Sequence, residues 1–573
     1  MGHLRVTPAF LYDNDAHVEK NQRLGPEVKG ARGLVGRQVA SSEFIDAYIR
    51  HGRWDRIVGL VRTESSRASL VERFRAQVRD PAQSLRIVPV AAFHDRFLAG
   101  PTAEVVHLPH PLEPEYAWAR QHAAPHGFAL SGVTHTICSR AIMDTFTSLV
   151  TAPFEPYDTL FCISRASVEV VRRVTSNYAA WLKERHGGNP RLRARLEHVP
   201  LGVDTEKFRP ATPEERASAR KELGIDPNAL VVLYVGRFTH FAKVHPFPMF
   251  RGVAEAARAT GRKVHIVLAG WAEEDKVTQL FEEGARIFAA GIPTTFVNGM
   301  DPKWRFRVWR CGDVFTSLTD NIQETLSQTI LEAQACGMPV VVTDWDGCRD
   351  EVADGETGFR VPTRMVEGAT WSGTSRYLFG ESTYAELLAD TNQTVSVDVP
   401  AAAAAFRRLF EDAALRESMG GAARQRVLEL FTWRHVVARY EEVWREQEAV
   451  RLEYARAERT EVHTPPPYPD VEFSFASYRS EVLPPDRRVV CGPDAEGELE
   501  VMLGFALTSY RKNRRVADLP TLHRALRRAE GGCTISEACE ALGPDPERAR
   551  ATVAWMLKYD LLRVTTPHAS LLR

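Results

Sequence analysis

Cysteine is scarce in this chain: eight cysteines are scattered over 573 residues, and no two of them form a Cys-x-x-Cys pair. Small secreted domains built on disulfides need a dense cysteine framework, so this composition argues against that class. Several cysteines, such as Cys162 and Cys336, lie in apolar stretches. The pattern therefore predicts reduced, buried thiols in a cytoplasmic protein.

Long apolar runs are missing as well. The longest, such as 230–235, cover only a few residues, whereas a helix that crosses a bilayer needs about 20. This shortage argues against a transmembrane helix. The sequence enters the strand-like run 4–12 without a basic segment, an apolar core or a cleavage pattern, so we expect no secretory signal.

An excess of charge of either sign is also absent. The formal net charge is −1, with 73 Lys and Arg against 74 Asp and Glu mixed along the chain. Binding driven by nucleic-acid phosphates depends on a basic excess, so this balance argues against it. Tandem repeats and long low-complexity segments are lacking too.

What the chain has instead is a regular alternation of strand-like apolar runs and helical runs. This alternation predicts parallel sheets wrapped by helices. The first series of predicted strands covers 6–11, 56–61, 84–90, 104–108, 159–163 and 196–200. The second series follows the turn-rich segment 201–227 and covers 230–236, 264–270, 295–298, 314–318 and 340–343.

The two series predict an α/β protein with two Rossmann-like, doubly wound domains, over residues 1–201 and 202–458. A long charged helix at 431–456 is expected to close the second domain. Ligands of open sheets of this type bind beyond the carboxyl ends of the strands. Two such domains facing each other would therefore share a cleft. Residues 371–400 read as an insertion whose shape the pattern leaves open.

The character of the sequence changes past Glu461. Prolines at 465–467 and 484–485 predict a linker over 459–485. Residues 486–573 predict a small α+β domain of the winged-helix type, with helices near 521–529, 536–542 and 546–559 and a strand at 562–564. The third helix lacks a basic stripe, which favours docking of a protein or of an acceptor over DNA binding. A purely structural cap is a further alternative.

Two glutamates, Glu324 and Glu332, lie in the segment with the most distinctive pattern. The run 325–336 predicts a short helix, which Gly337 ends, so that a carboxylate would stand at each end of it. Eight residues of helix span about 12 Å at 1.5 Å per residue. The start of that helix would offer unpaired N–H groups and a positive dipole end to an anion.

This segment closely resembles the signature of retaining glycosyltransferases of the GT-B type, in particular the large family 4 of that class. The family shows a Glu-x7-Glu pair, an Ala-Cys/Ala-Gly-x-Pro-Val-Val run and an Asp-Gly-x-x-Gly-Phe run. All three occur here, at 324–332, 335–341 and 354–359. The resemblance covers roughly residues 1–450 and is most specific over 230–362. It implies a GT-B fold and transfer of a sugar from a nucleoside-diphosphate donor by same-face displacement.

Two cations follow the predicted strand that ends at Gly236. They are Arg237 and Lys243, in the run GRFTHFAK. At the edge of a cleft, permanent cations would hold a leaving diphosphate and stabilise the charge that develops on it. The resembling family uses a Gly-Arg followed by a Lys for this purpose. The alternative is a pair of surface cations beside a strand.

The resemblance also implies roles for the acidic pair. Glu332 would bind the ribose hydroxyls of the donor nucleotide, and Glu324 would lie beside the donor sugar, because a carboxylate accepts hydrogen bonds from vicinal hydroxyls. The loop expected against the diphosphate consists of Thr325, Leu326, Ser327 and Gln328. The family commonly has Phe-Gly-Leu after the first Glu, so this chain lacks a glycine where the backbone would approach phosphate. Contacts to the nucleotide base are expected from the main chain of Asn298, Gly299 and Met300.

Two residues of the first domain complete the expected site. Gly33 lies in the Gly-rich segment 25–36, where backbone N–H groups can approach an anion; a plain surface turn is the alternative. His135 stands at the place where the family carries a histidine that faces the donor sugar. A structural histidine is the alternative there.

Two Asp-x-Asp pairs, at 13–15 and 344–346, mimic the metal site of the other major glycosyltransferase fold. Paired carboxylates can chelate a divalent cation together with a diphosphate. Asp344, however, follows the strand after the Glu pair, where the resembling family has no metal. We therefore expect a site without metal or cofactor.

The prediction from sequence is a retaining glycosyltransferase with a nucleotide-sugar donor and an unidentified acceptor. Two alternatives stay open. One is another GT-B reaction, such as phosphorolysis or epimerisation. The other is a non-enzymatic GT-B scaffold whose C-terminal domain recruits a partner or DNA.

Overall fold

A computed structural model of the chain describes residues 6–12, 36–92, 102–370, 372–457, 464–509 and 516–565. The chain divides into two compact units, which meet in sequence at Pro465 and Pro466. The first unit holds two large parallel sheets, and we call the parts around them the first half and the second half. None of the helices in the described ranges is long and apolar enough to cross a membrane.

The first sheet has seven parallel strands in the order β3-β2-β1-β4-β5-β6-β7. They are β1 (Pro8–Tyr12), β2 (Arg56–Val61), β3 (Ser84–Pro89), β4 (Val105–Leu108), β5 (Ala129–Val133), β6 (Thr159–Cys162) and β7 (Arg195–His198). The accompanying helices are Gly36–His51, Glu64–Gln77, Pro114–Ala123, Arg140–Thr151 and Arg165–His186, with a 3-10 turn at Val90–Ala92. The chain starts in the middle of the sheet, moves to one edge and then to the other, which is the doubly wound pattern.

The second sheet repeats this plan with six parallel strands in the order β10-β9-β8-β11-β12-β13. They are β8 (Leu230–Val235), β9 (Val264–Gly270), β10 (Thr294–Asn298), β11 (Val314–Ser317), β12 (Val340–Thr343) and β13 (Gly358–Val361). The accompanying helices are Pro213–Glu222, Phe247–Thr260, Asp275–Phe288, Gln328–Ala335, Cys348–Glu351, Val399–Glu411 and Ala413–Leu430, with a 3-10 turn at Val308–Arg310. The predicted α/β class with two Rossmann-like sheets is confirmed.

The two halves face each other with the carboxyl ends of their strands. Ser164, after β6, donates from Oγ to Asp346 Oδ1 after β12, at 2.7 Å. Thr325, in the loop after β11, donates from Oγ1 to the carbonyl oxygen of His135 after β5, at 2.9 Å. The edge at which open sheets of this kind bind ligands thus lies between the halves.

The long helix Trp433–Ala457 packs on the first sheet, although it follows the second half in sequence. Trp444 donates from Nε1 to Ser131 Oγ, and Gln447 donates from Nε2 to the carbonyl oxygen of Leu130, both at 3.0 Å. Trp444 is 1% exposed. The chain therefore passes between the halves twice, once before β8 and once before this helix.

Two strands of the large sheets, β5 and β13, are absent from the prediction. β5 has Ala, Ser and Gly at three of its five positions, and β13 is only four residues long and begins with Gly; glycine and alanine are depleted in strands. A Cβ on Gly132 would lie 2.6 Å from the carbonyl oxygen of His110, and one on Gly358 would lie 2.4 Å from that of Val340. Glycine is required at both places by a close approach of backbone from elsewhere in the chain. The local pattern cannot reveal such an approach.

The helix predicted over 325–336 is wrong at its start, because the helix begins at Gln328 and ends at Ala335. Ser327, directly before it, is extended with φ −104° and ψ 94°. Glu324 consequently lies ahead of the helix and Glu332 in its middle. The two carboxylates do not stand at its two ends, and the span of about 12 Å calculated for a continuous helix does not apply.

The predicted insertion folds into two helices, Gly373–Leu378 and Tyr384–Asn392, beside a two-stranded antiparallel sheet. Its strands are β14 (Thr363–Met365) and β15 (Val395–Val397). The Tyr384 hydroxyl lies 3.1 Å from Cys138 Sγ in the first half. The insertion of the second half thus reaches across to the first.

The second unit contains a three-stranded antiparallel sheet in the order β17-β16-β18 and several helices. Its strands are β16 (Arg488–Cys491), β17 (Cys533–Thr534) and β18 (Leu562–Val564). Its helices are Val471–Ser474, Ala495–Gly504, Leu519–Ala529, Ile535–Leu542 and Pro546–Lys558, with a 3-10 turn at Ala476–Tyr478. The three predicted helices and the last strand are present, close to their predicted bounds. The winged-helix assignment, the domain and linker boundaries and the docking role stay predictions.

Candidate active site

The predicted site residues of the second half gather at the carboxyl edge of its sheet. Gly236 and Arg237 follow β8 directly, and Glu324 lies in the loop after β11. The Arg237 side chain is 25% exposed, and its guanidinium lies 4.0 Å from the Glu273 carboxylate, which is a loose pairing at the surface. Arg237 is therefore able to turn towards a ligand at this edge.

Lys243 and Glu324 form an ion pair, with 2.5 Å between Nζ and Oε2. The two side chains are 19% and 8% exposed, so water screens the pair only weakly. The carbonyl oxygen of Lys243 accepts hydrogen bonds from Asn321 Nδ2 at 2.8 Å and Thr319 Oγ1 at 2.9 Å. These bonds tie the loop after β8 to the loop after β11. The structure thus brings together a cation and a carboxylate that the sequence pointed to separately.

The loop that follows Glu324 is held from both sides. Thr325 binds the His135 carbonyl oxygen, which places His135 of the first half beside the Glu324 loop. The Ser327 N–H donates to Glu351 Oε2 at 3.4 Å, and Ser327 is 1% exposed. Burial raises the pKa of the Glu351 carboxyl well above its usual range. The Ser327 N–H therefore has an internal partner, so the helix start offers fewer unpaired donors than predicted.

Glu332 is half-buried on the helix that Gln328 begins, and it stands near a second carboxylate, Glu43 of the first half. Gln328 donates from Nε2 to Glu43 Oε2 at 2.8 Å. Burial, and after it the charge of Glu43, raise the pKa of Glu332 well above its usual range. Within the described ranges no donor is hydrogen-bonded to the Glu332 carboxylate, so its oxygens are available to ligand hydroxyls. Glu43 is a neighbour that the sequence did not suggest.

Three glycines allow the ends of β8, β9 and β10 to approach each other closely. A Cβ on Gly270 would lie 1.9 Å from the Gly236 carbonyl oxygen, and one on Gly299 would lie 2.9 Å from Gly270 Cα. The Gly299 N–H donates to the Gly270 carbonyl oxygen at 2.7 Å. Gly270 is missing from the prediction. Its signal was its place as the last residue of an apolar strand run, which matches the position of Gly236 after β8.

Two backbone N–H groups of the segment after β10, those of Gly299 and Met300, have acceptors within the protein. The Met300 N–H donates to Asn298 Oδ1 at 2.9 Å, which closes a tight turn around Gly299. Met300 is 45% exposed. Gly33 lies outside the described residues, so its expected role stays a prediction.

The two aspartates of the Asp-x-Asp pair at 344–346 point to different partners. Asp344 pairs with Arg349 at 3.2 Å and with Arg360 at 3.6 Å, whereas Asp346 accepts from Ser164. Asp346 has φ 41°, a left-handed conformation that is uncommon outside glycine. Burial raises its pKa to about 7. Among the residues that the structure describes, no group of three or more His, Cys, Asp or Glu side chains could hold a metal ion.

Two doubly wound sheets that face each other with their carboxyl ends, joined by two chain crossings and a closing helix on the first sheet, define the GT-B architecture. Residues 229–371 match the model of the family described as Glycosyl transferases group 1. That range includes the predicted site residues from Gly236 to Glu332. Residues 229–371 are therefore similar to a glycosyl transferases group 1 domain.

Curated relatives agree with this assignment. The chain is 31% identical over 202 residues to the D-inositol 3-phosphate glycosyltransferase of Rhodococcus erythropolis, which is 35% of this chain and 43% of that protein. It is 28% identical over 266 residues to the alpha-maltose-1-phosphate synthase of Mycobacterium tuberculosis, which is 45% of this chain and 58% of that protein. The matches thus span about half the length of these relatives.

Among solved structures, the chain is similar to the sucrose-phosphate synthase of Thermosynechococcus elongatus. The similarity covers 78% of this chain and all of that one (100%), at 17% identity and a TM-score of 0.46.

Proposed function

We propose that this protein is a retaining glycosyltransferase that moves a sugar from a nucleoside-diphosphate donor to an acceptor hydroxyl without a metal ion. The observation that carries the proposal is the buried ion pair of Lys243 and Glu324 at the carboxyl edge of the second sheet. Arg237 stands at the same edge, and His135 of the first half lies beside it. The names of the curated relatives, a glycosyltransferase and a sugar phosphate synthase, support transfer of a sugar.

In this reaction the bond between the anomeric carbon and the leaving diphosphate breaks, and a bond to the acceptor oxygen forms on the same face of the sugar. The acceptor proton passes to an oxygen of the leaving phosphate. Negative charge grows on the diphosphate as its bond to the sugar lengthens. Lys243 and Arg237 would stabilise that charge, because preorganised cations act strongly where water is largely excluded.

Glu324 has two functions in the proposal. Before the donor binds, its carboxylate holds the Lys243 ammonium in place at 2.5 Å. A diphosphate that enters would share Lys243 and leave the Glu324 carboxylate free to accept a hydrogen bond from the donor sugar. His135 would face the same sugar from the first half.

Glu332 would bind the ribose of the donor. Two observations support this role: Glu332 is half-buried, and no donor among the described residues is hydrogen-bonded to its carboxylate. Its raised pKa favours the protonated carboxyl, which accepts from one ribose hydroxyl and donates its own O–H to the other. The main chain at Asn298, Gly299 and Met300 would then lie beside the base.

The test has a binding arm and a reaction arm. Thermal unfolding of the full chain in UDP-, GDP- and ADP-glucose should show stabilisation that grows with ligand concentration for the preferred nucleotide. Release of nucleotide from that donor should fall about 100-fold in kcat/KM for Arg237→Ala and for Lys243→Ala. Arg251→Ala is the matched control, because Arg251 is 49% exposed and pairs with Glu255 on its own helix.

The control variant should keep wild-type activity. The proposal is refuted if no nucleotide sugar stabilises the wild-type chain. It is also refuted if Arg237→Ala and Lys243→Ala release nucleotide as fast as Arg251→Ala.

A further inference from the structure

A cavity of about 330 Å³ lies in the first unit where the chain crosses between the halves. Its walls come from the helix Gly36–His51, from the first crossing at 203–207 and from the second crossing at 432–435. Val203 and Thr432 form a β-bridge, so the two crossings run side by side along the cavity. We call it the hinge cavity. Neither Lys243 nor Glu324 lines it.

Three arginines, Arg50, Arg79 and Arg434, line the hinge cavity. The Arg50 guanidinium donates to the neutral side-chain oxygen of Gln77, from Nε at 3.2 Å and from Nη2 at 2.5 Å. Within the described ranges, none of the three guanidinium groups is paired with a carboxylate. Like charges around one cavity repel each other, so an anion between them would be held strongly.

Most acids of the lining already have partners of their own. Asp46 pairs with Arg73 at 2.8 Å, and Asp204 pairs with Lys207 at 2.9 Å. Glu43 accepts from Gln328 Nε2 and from Trp433 Nε1, the latter at 3.3 Å. Asp46 and Asp204 therefore do little to offset the arginines, and burial raises the pKa of Glu43, which favours its uncharged form.

The pKa of His51, which lies in the same wall, indicates the sign of the electrostatic potential there. Burial lowers the pKa of His51, and the positive charges of Arg434, Arg50 and Arg79 lower it further. The exposed Glu206 acts in the opposite direction but as the weakest of these influences. The wall of the hinge cavity is thus positive around His51.

We propose that the hinge cavity binds a small phosphate-bearing anion through Arg50, Arg79 and Arg434. Guanidinium groups offer paired N–H donors that match the oxygens of a phosphate. A volume of about 330 Å³ lies at the lower end of the range for small-molecule sites and admits a sugar phosphate. This site is separate from the proposed donor site and uses none of its cations.

The occupant would connect segments that are far apart in the sequence. Arg50 and Arg79 belong to the first half, and Arg434 lies in the second crossing, at the start of the helix Trp433–Ala457. A phosphate held by all three would therefore tie the second crossing to the first half. Glu43 lies in the wall of the cavity and binds Gln328 ahead of Glu332, so the cavity adjoins the ribose side of the proposed donor site.

The experiment is calorimetric titration of the full chain with inorganic phosphate and, separately, with glucose 6-phosphate. The double change Arg79→Gln and Arg434→Gln should raise the dissociation constant at least about tenfold, because each lost charge-assisted hydrogen bond weakens binding by about that factor. Both side chains are exposed, so the fold should survive, and circular dichroism melting checks this. Arg67→Gln is the control, since Arg67 is 57% exposed and pairs with Glu64 away from the cavity.

A second arm separates this site from the donor site. Arg237→Ala should weaken the proposed donor site but leave binding of inorganic phosphate at the hinge cavity unchanged. Tighter binding of glucose 6-phosphate than of phosphate would identify an ester as the ligand, and equal binding would identify the free ion; both results support the site. The proposal is overturned if the double variant binds as tightly as wild type, or if neither probe binds at millimolar concentration.

Discussion

Removal of the positive charge from the Lys243–Glu324 pair should destabilise the protein measurably. Lys243→Met keeps most of the length of the side chain and deletes the ammonium. The Glu324 carboxylate, 8% exposed, would then lose its counter-ion at 2.5 Å.

The size of the effect follows from the burial of the pair. Removal of one partner of a buried ion pair costs about 3–5 kcal/mol. Lys243 is 19% exposed, so in the Lys243→Met variant some water reaches the Glu324 carboxylate. We therefore expect a loss of stability at the lower end of this range, about 3 kcal/mol. Removal of both charges, by Lys243→Met with Glu324→Gln, should cost far less, because replacement of a whole buried pair is often close to neutral. The double-mutant cycle should therefore show a coupling of about 2 kcal/mol or more.

The assay is urea unfolding of the full chain, with the free-energy difference taken from the shift in midpoint and the slope of the transition. Lys263→Met provides the matched control. Lys263 and Asp226 form a pair at 2.8 Å whose side chains are 70% and 40% exposed, and such surface pairs contribute about 1 kcal/mol or less. A coupling below about 0.5 kcal/mol, or a loss no larger than in Lys263→Met, would refute this account.

Two other changes test the close backbone packing at the site and the burial of one of its carboxyl groups. Gly270→Ala should lower the free energy of unfolding by more than about 2 kcal/mol, since the new Cβ would lie 1.9 Å from the Gly236 carbonyl oxygen. Gly421→Ala, on an exposed helix surface with nothing within 4 Å of the new Cβ, should be neutral or stabilise by up to about 1 kcal/mol; equal urea midpoints for the two would contradict the reasoning. Asp346→Asn should stabilise at pH 8 and not at pH 4. Burial raises the pKa of Asp346 from 3.8 to about 7. In the folded protein the carboxyl therefore keeps a proton that the unfolded chain releases. The contribution of Asp346 to the free energy of unfolding is complete at low pH and is lost as the pH rises through about 7. Asparagine keeps an acceptor for Ser164 and tolerates the positive φ. A change in stability that is equal at pH 4 and pH 8 would contradict this interpretation.

The strands that sequence predicted best are those buried on both faces. β2, β9 and β12 have the bounds expected from their apolar runs, because a parallel strand covered by helices on both sides reads as a continuous apolar segment. β5 and β13 were missed because their patterns are weak: β5 has Ala, Ser and Gly at three of its five positions, and β13 is only four residues long and begins with Gly. Gly132 and Gly358 are explained only by the backbone of distant residues that lies against them.

The start of the helix at Gln328 shows the same limit. Ser327 is a preferred N-cap residue and holds that position in the structure, so its residue type is compatible with a helix that begins at Gln328. The Thr325 side chain binds the His135 carbonyl oxygen and the Ser327 N–H binds Glu351, and these bonds hold the segment before the helix in place. These partners come from far along the chain, and no short window of sequence contains them.

The sequence by itself determined the α/β class, the two doubly wound sheets and the residue types at Arg237, Lys243, Glu324 and Glu332, because spacing and apolar pattern are local properties of the chain. Only the tertiary structure decided that Lys243 pairs with Glu324, 81 residues further on, and that Glu43 stands near Glu332. The hinge cavity likewise exists only where the two crossings meet a helix of the first half. The physical reason is that parallel strands deliver their carboxyl ends to one edge whatever their distance in sequence, and the contacts made there depend on the packing of whole sheets.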